Sequence, residues 1–182
     1  GSILSQNVKK MDPEEGDLIV RLGGPAFKIG LGGGFSSSID NESKLTKQSK
    51  DAVQRGDPQM ENKLNRVIKT LSNMSLSNPI KSIHDQGAGG LGNVVKEIIY
   101  PNGGIVDLKN VTLGDLSLNP LEIWCSEFQE SDVILINKND LDLVKKVCNS
   151  ENVIVDVLGF VKDANFNRVI VNYGEEVVVN FE

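Results

Sequence analysis

The chain has 182 residues, of which 39% are hydrophobic and 24% are charged, so its composition is that of an ordinary globular fold. Its net charge of −6 argues against a general nucleic-acid-binding or anionic-membrane surface, and no apolar run is long enough to predict a membrane span. The length favours a single domain over residues 1–182. The opening Gly1-Ser2 is expected to be an expression-tag remnant ahead of a domain cut from a longer protein.

The two cysteines, Cys125 and Cys148, lie among apolar neighbours and have no CxxC spacing. Because His84 is the only histidine, the sequence offers neither a set of zinc ligands nor a convincing base for a catalytic cysteine. We interpret both thiols as buried small hydrophobic residues and expect a reducing, cytoplasmic location.

The first predicted element is a strand over residues 17–23, followed after Gly24-Pro25 by an extended segment over 27–31. That segment runs into the triple glycine 32–34, and the polar stretch 36–49 then lacks any hydrophobic period. The polar stretch 36–49 is therefore predicted to be a surface loop.

A helix is predicted from Pro58 onward, because apolar residues recur there at helical spacing: Met60, Leu64, Val67, Ile68, Leu71 and Met74. Asp57 is placed as its N-cap and Pro58 as its first residue. This use of Asp57 leaves Gln54 as the nearby residue free to hydrogen-bond a ligand. The alternative is an ordinary exposed loop glutamine.

A short strand over residues 80–83 delivers Asp85 to its carboxyl end, a glycine cluster follows, and a helical stripe over 91–99 is stopped by Pro101. Glycine backbone and a helix N-terminus favour an anion, and a carboxylate beside them suits Mg²⁺, which prefers carboxylate and phosphate oxygens. Two alternatives are a tight turn with no ligand and an Asp85 that only caps the helix.

The rest of the chain predicts strands alternating with helices. Strands are expected over 105–111, 131–136, 153–161, 168–172 and 177–181, with a short helix from Asn119-Pro120 to Trp124 and another over 141–147. The fold class is therefore α/β (α+β), a three-layer domain in which a mixed sheet is flanked by helices.

Glu127 and Gln129 directly precede the strand at 131–136, and an extended backbone would place both side chains on one face. A carboxylate and an amide so placed could bind a polar substrate, or they could be two exposed residues at a strand entrance. His84, on the opposite face of its strand from Asp85, is interpreted as a packing residue.

Four ordered motifs resemble the large phosphoribosylformylglycinamidine synthases, over nearly the whole chain. They are Gly23-Gly-Pro-Ala-Phe-Lys-Ile-Gly-Leu-Gly-Gly-Gly34, Val53-Gln-Arg-Gly-Asp-Pro-Gln-Met-Glu61, Ile83-His-Asp-Gln-Gly-Ala-Gly-Gly-Leu91 and Pro120-Leu-Glu-Ile-Trp-Cys-Ser-Glu-Phe-Gln-Glu130. The likeness is to the first of the two aminoimidazole-ribonucleotide-synthase C-terminal-like domains of that family.

The resemblance implies an ATP-dependent ligase of purine biosynthesis. The family makes formylglycinamidine ribonucleotide from formylglycinamide ribonucleotide, ATP and glutamine-derived ammonia. ATP converts the amide oxygen into a phosphate leaving group, and ammonia displaces it. ATP would be bound mainly by a neighbouring domain and ammonia supplied by a glutaminase domain, so this chain alone is expected to be inactive.

The resemblance also implies site residues. Gln54 and the tripeptide Glu127, Phe128 and Gln129 match substrate-contacting positions, Asp85 matches a magnesium ligand, and no catalytic residue is assigned. Two positions depart from the family pattern, with Phe128 in place of serine and Ser131 in place of arginine, which removes a hydroxyl and a cation.

Two rival interpretations stay open on the sequence. One is a non-catalytic scaffold module, in which the glycine loops only make turns and the acidic surface packs against neighbouring domains. The other is a stand-alone relative of aminoimidazole-ribonucleotide synthase, which would need a nucleotide-binding domain that this sequence does not show.

Overall fold

The computed structural model describes residue 5 and residues 8–29 and 56–182. Within these ranges the strands form one seven-stranded sheet of order β2-β4-β1-β5-β3-β6-β7. The strands are β1 (Leu18–Gly23), β2 (Ile80–Asp85), β3 (Gly104–Asp107), β4 (Ser131–Ile136), β5 (Ile154–Val161), β6 (Val169–Tyr173) and β7 (Glu176–Phe181). The sheet is mixed, because β3 and β6 pair in parallel while the other described pairs are antiparallel.

Helices cover both faces of this sheet, which confirms the predicted three-layer α/β architecture. They are α1 (Pro58–Ser72), α2 (Gly90–Ile99), α3 (Pro120–Cys125) and α4 (Leu141–Glu151). One core joins α1 and α4 to the sheet and includes Val20, Leu22, Leu64, Val67, Leu71, Ile134, Ile136, Val144 and Cys148. The other core joins α2 and α3 to the opposite face and includes Ile19, Leu91, Val95, Ile99, Ile123, Val133, Leu135 and Leu158.

The start of α1 confirms the predicted cap. The Asp57 carboxylate accepts hydrogen bonds of 3.0 Å from the backbone N–H groups of Gln59 and Met60, which would otherwise lack partners. α3 begins with a reciprocal capping box, in which Asn119 and Glu122 each bond the other's backbone N–H. The first cap fixes where the chain enters α1, which lines the cleft described below, and the second fixes where it enters α3 on the opposite face of the sheet.

Two predicted extended segments differ from the structure. The strand expected over 105–111 ends at Asp107, because the Asp107 carboxylate accepts from the N–H groups of Lys109 and Gly174 and turns the chain into a short 3₁₀ helix. Residues 27–29 form no strand, although Ala26 makes a bridge to Leu113. The predicted glycine loop 32–34 and surface loop 36–49 lie outside the described residues.

Both cysteine thiols are free, as the sequence predicts. Cys148 lies on the buried face of α4, and burial raises the pKa of its thiol to about 12. Cys125 is partly buried, and burial raises its pKa as well. Among the described helices, none combines the length and apolar character that crossing a membrane requires.

Candidate functional site

A cleft of about 1190 Å³ lies between α1 and the edge strand β2. One end is lined by Asp85, by residues 127–132 and by Glu61 of α1. The lining also includes Lys9, Lys10, Lys69, Lys81 and the polar residues that follow α1. The end that contains Asp85 and Glu61 is therefore rich in carboxylates and forms the acidic end of the cleft.

Asp85 closes β2 at the acidic end of the cleft, and its carboxylate is exposed. The helix that follows, α2, begins after Gly89, which has a φ of 85°, and no side chain caps it. The alternative role of Asp85 as a helix cap is therefore wrong. A Cβ added at Gly87 would lie 3.3 Å from the Asp85 carboxylate, so glycine leaves the space beside that carboxylate open.

Gly90 brings the Asp85 loop against the segment after α3. Its φ is +58°, and an added Cβ would lie 2.4 Å from the carbonyl oxygen of Ser126. No side chain fits at such a distance, so this close approach requires glycine. It is what places the glycine cluster beside Glu127.

Glu127 and Gln129 both line the cleft with Asp85, as the sequence predicts for a shared site. Residues 126–128 belong to no strand and the chain bends at Gln129 and Glu130, but Phe128 is buried between Glu127 and Gln129, which matches the predicted placement of these two side chains on one face. Glu130 has a φ of +50°, which turns the backbone directly before β4.

Phe128 is among the residues that line the cleft, but the residue as a whole is only 1% exposed and its ring packs in the core with α2 and α3. Its ring cannot contact a ligand in the cleft. Any contact from this position to a substrate therefore has to come from the backbone, and the serine-to-phenylalanine departure exchanges a hydroxyl for core packing.

Gln54, the remaining predicted site residue, lies outside the described residues. The nearest described position is Gly56, where an added Cβ would lie 3.6 Å from Oε1 of Glu130 and 3.8 Å from Oε1 of Gln129. The chain thus enters α1 directly beside the residues that line the acidic end of the cleft.

Two acidic residues that the sequence analysis did not select add to this end of the cleft. Asp132 stands directly opposite Asp85 in the antiparallel β2–β4 register. Burial, followed by repulsion from Asp85 and Glu61, raises the pKa of Asp132 to about 6. The apolar run of β4 hid this residue, and only the pairing of two distant strands reveals it.

Glu130 is the second such residue. Its Oε1 accepts a hydrogen bond of 3.0 Å from the backbone N–H of Asp57, while its Oε2 is buried and has no hydrogen-bond partner within the described part of the chain. Burial, with repulsion from Asp57 and Glu61, raises the pKa of Glu130. Glu130 and Asp132 therefore hold their protons more tightly than exposed carboxylates would.

These carboxylates fit Mg²⁺ only as an ion that is shared between the protein and a bound ligand. The described residues contain no cluster of three or more histidine, cysteine or acidic side chains arranged to enclose a metal. Mg²⁺ is commonly held by one or two carboxylates together with substrate phosphates and water, and Asp85 beside an open cleft suits that arrangement. The structure thus fits a metal shared with a ligand and not a closed protein site.

His84 directly precedes Asp85 but is not among the residues that line the cleft. Its Nδ1 is 3.3 Å from Oε2 of Glu97 in α2, and its Nε2 is 2.6 Å from Nζ of Lys10. Burial and the Lys10 charge lower the pKa of the imidazole, so the ring is mostly neutral at pH 7. His84 belongs to neither hydrophobic core, so its contacts in the structure are polar and its interpretation as a packing residue stays a prediction.

Comparison with known proteins places the chain in a family. The family described as "AIR synthase related protein, C-terminal domain" matches residues 14–172. The human phosphoribosylformylglycinamidine synthase is 46% identical over 155 residues, which are 83% of this chain and 11% of that protein. The probable chloroplastic/mitochondrial enzyme of Arabidopsis thaliana is 45% identical over 159 residues, which are 87% of this chain and 11% of that protein.

A solved structure, "T. maritima PurL complexed with FGAR", superposes with a TM-score of 0.82 at 26% identity and covers 95% of this chain and 28% of that chain. The chain therefore spans only about an eighth of the length of the curated relatives and about a quarter of the solved one. The match over residues 14–172, the relatives and the shared fold agree, and the chain belongs to the C-terminal domain family of the AIR synthase related proteins.

Proposed function

We propose that this chain is the substrate- and Mg²⁺-binding domain of a phosphoribosylformylglycinamidine synthase. The observation that carries the proposal is that Asp85, Glu127 and Gln129 line one cleft. Two of its relatives bear that enzyme's name, and the T. maritima relative is described in complex with FGAR, the abbreviation of formylglycinamide ribonucleotide.

The side chains at the acidic end would hold the ribonucleotide by hydrogen bonds. The carboxylate of Glu127 accepts, which suits ribose hydroxyls, and the amide of Gln129 both donates and accepts. Phe128 would contribute its backbone, since its ring is buried. Together these groups orient the substrate amide for the chemistry that other parts of the enzyme supply.

Gln54 keeps its proposed role in substrate binding. It precedes Gly56 by two residues, which span at most about 7 Å. Because Gly56 lies against Gln129 and Glu130, this covalent reach supports a place for Gln54 near the same end of the cleft.

Asp85 would hold Mg²⁺, with Asp132 across the strand pair adding negative potential. The bound ion would neutralise charge on the phosphoryl group transferred from ATP. The side chains of this domain would fix where the ion and the ribonucleotide lie relative to one another, and would keep the amide oxygen next to the phosphoryl group that it attacks.

Nucleotide binding and ammonia supply are assigned to other parts of a longer protein. "T. maritima PurL complexed with ATP" shares the fold at 21% identity, and this chain covers 26% of it. We propose that an ATP-binding domain and a glutaminase domain accompany this chain, that the chain alone does not turn over substrate, and that the enzyme acts in the cytoplasm.

A ligand titration of this chain tests the proposal. NMR spectra recorded with formylglycinamide ribonucleotide, with and without Mg²⁺, should show shifts at Asp85, Glu127 and Gln129 that are larger when both are present. Glu175, on the exposed turn before β7, serves as the internal control and should not shift.

Two outcomes are decisive. In the first, Asp85→Asn abolishes the additional shifts that Mg²⁺ causes but keeps the shifts that the ribonucleotide causes alone. This result supports the metal role of Asp85 and the substrate role of the cleft together. In the second, saturating ribonucleotide and Mg²⁺ leave the signals of the cleft residues unchanged, both in this chain and in the longer enzyme. This result favours the scaffold alternative.

A further inference from the structure

Arg21 is a buried cation in the centre of the sheet. It lies on β1 within the run Leu-Ile-Val-Arg-Leu-Gly, and it is 1% exposed. Burying a guanidinium costs several kcal/mol unless its charge and its N–H groups find partners, and burial accordingly lowers the pKa of Arg21. A cation retained in such a position needs a structural reason.

Four hydrogen bonds satisfy the guanidinium. Nη1 donates to Oδ2 of Asp156 at 2.8 Å, and Nη2 donates to the carbonyl oxygen of Gly24 at 2.6 Å and to Oγ of Ser131 at 2.8 Å. Nε donates to Oε1 of Gln86 at 3.3 Å. Only a planar group with several fixed donors can serve these acceptors at once.

Two of the four hydrogen-bond partners belong to segments that form the candidate site. Gln86 directly follows Asp85, and Ser131 directly follows Glu130. The ring of Phe128, from the same segment as Glu127 and Gln129, lies 6.0 Å from the guanidinium carbon. Of the other two partners, Gly24 follows β1, and Asp156 lies on the neighbouring strand β5 and supplies the countercharge, with Thr112 donating two further hydrogen bonds to it.

Gln86 extends the connection to the substrate-binding tripeptide. Its Nε2 donates to the carbonyl oxygen of Ser126 at 3.3 Å, one residue before Glu127. Its backbone N–H donates to the carbonyl oxygen of Ser131 at 2.9 Å. The segment that carries Asp85 and the segment that carries Glu127 and Gln129 are therefore joined through Gln86 to one guanidinium.

We infer that Arg21 is a positioning residue that sets the distance between the Asp85 loop and the 127–129 segment from beneath the cleft. The effect of Arg21 on activity rests on the proposed function, in which the Asp85 loop holds the metal and the 127–129 segment binds the substrate. Arg21 touches neither ligand. It acts by holding both segments in one geometry.

Two variants separate positioning from folding. Arg21→Lys keeps the charge beside Asp156 but cannot reach all four acceptors. The double variant Arg21→Met with Asp156→Asn removes both charges, so no uncompensated carboxylate is left in the core. Val171→Ala is the control for a general loss of packing. Val171 is buried on β6, which lies towards the edge of the sheet opposite to β2.

The first readout is hydrogen exchange of this chain without ligand. The Arg21 variants should exchange at least about tenfold faster at residues 86–90 and 126–131, beyond any change at these residues in Val171→Ala. Exchange at these segments no faster than in Val171→Ala overturns the positioning role.

The second readout is steady-state kinetics of the longer enzyme. Arg21→Lys should raise the KM for the ribonucleotide by about 10- to 100-fold and leave the KM for glutamine unchanged. The reason is that displacing the substrate-binding segment by about 1 Å can weaken productive substrate binding by up to about 100-fold. Faster exchange with an unchanged ribonucleotide KM overturns the link to substrate binding. If Asp85→Asn also leaves turnover unchanged, the proposed function itself has failed, independently of the exchange result.

Discussion

The pairing of Asp132 with Asp85 predicts an unusual dependence of stability on pH. A partly buried carboxylate opposite a second acid holds its proton more tightly in the folded chain than in the unfolded one, and the pKa of Asp132 is accordingly raised from 3.8 to about 6. At Asp132 the folded state therefore binds more protons between pH 4 and 6. The contribution of Asp132 to the free energy of unfolding should fall as the pH rises through this window and then stay low.

The magnitude follows from the size of the shift. A change of about 2 pKa units corresponds to about 3 kcal/mol of lost stability once Asp132 is fully ionised. The side chain is partly exposed and shares its repulsion with Asp85 and Glu61, so we expect a loss of about 1–3 kcal/mol. Below about pH 3 the carboxyl is protonated in both states and costs nothing, and at pH 4 only about 0.5 kcal/mol of the full loss has developed.

Asp132→Asn removes this titration, and urea unfolding at pH 4 and pH 8 measures it. The variant should be about 1–3 kcal/mol more stable than the natural chain at pH 8 and nearly equal to it at pH 4. Glu175→Gln, which removes a carboxylate from an exposed turn, is the matched control and should show no such difference between the two pH values. An Asp132→Asn effect of the same size at both pH values would refute the electrostatic reasoning.

Two further predictions concern the elements that build the cleft. Asp57→Ala removes both cap hydrogen bonds from the first turn of α1 and should cost about 1 kcal/mol in urea unfolding; an unchanged midpoint would show that the cap contributes nothing. Gly23→Ala should lower the unfolding free energy by at least about 3 kcal/mol, because its φ is +144° and an added Cβ would lie 2.2 Å from a carbonyl oxygen of the site segment. Gly16→Ala, at a φ of +88° with nothing within 4 Å of an added Cβ, should cost only about 1 kcal/mol, and equal losses would contradict the steric argument.

Local signals in the sequence were enough to predict the elements on either side of the site. The cap at Asp57, the strand that ends at Asp85 and the glycine cluster after it are all encoded within a few residues, and the structure has each of them. The sequence also predicted that Glu127 and Gln129 would share a face, and they do line one cleft, with Phe128 buried between them.

Contacts between distant segments could not be predicted in the same way. Asp132 meets Asp85 only because β2 pairs with β4 in one particular register, and the apolar pattern of β4 gave no sign of it. Ser131 was expected to mark the loss of a cation, yet the Arg21 guanidinium lies 2.8 Å from its hydroxyl. A lone arginine inside the apolar run of β1 was the available signal, and its partners became visible only once the sheet order was known.

The most direct test of the central claim is the synthase turnover of Asp85→Asn in the longer enzyme, measured beside its glutaminase activity. If Asp85 helps to hold the metal at the phosphoryl group, synthase turnover should fall by at least about 100-fold, while glutamine hydrolysis and the Asp142→Asn control, on the exposed first turn of α4, stay near the unmodified values. Synthase turnover of Asp85→Asn within about twofold of the unmodified enzyme would contradict the account.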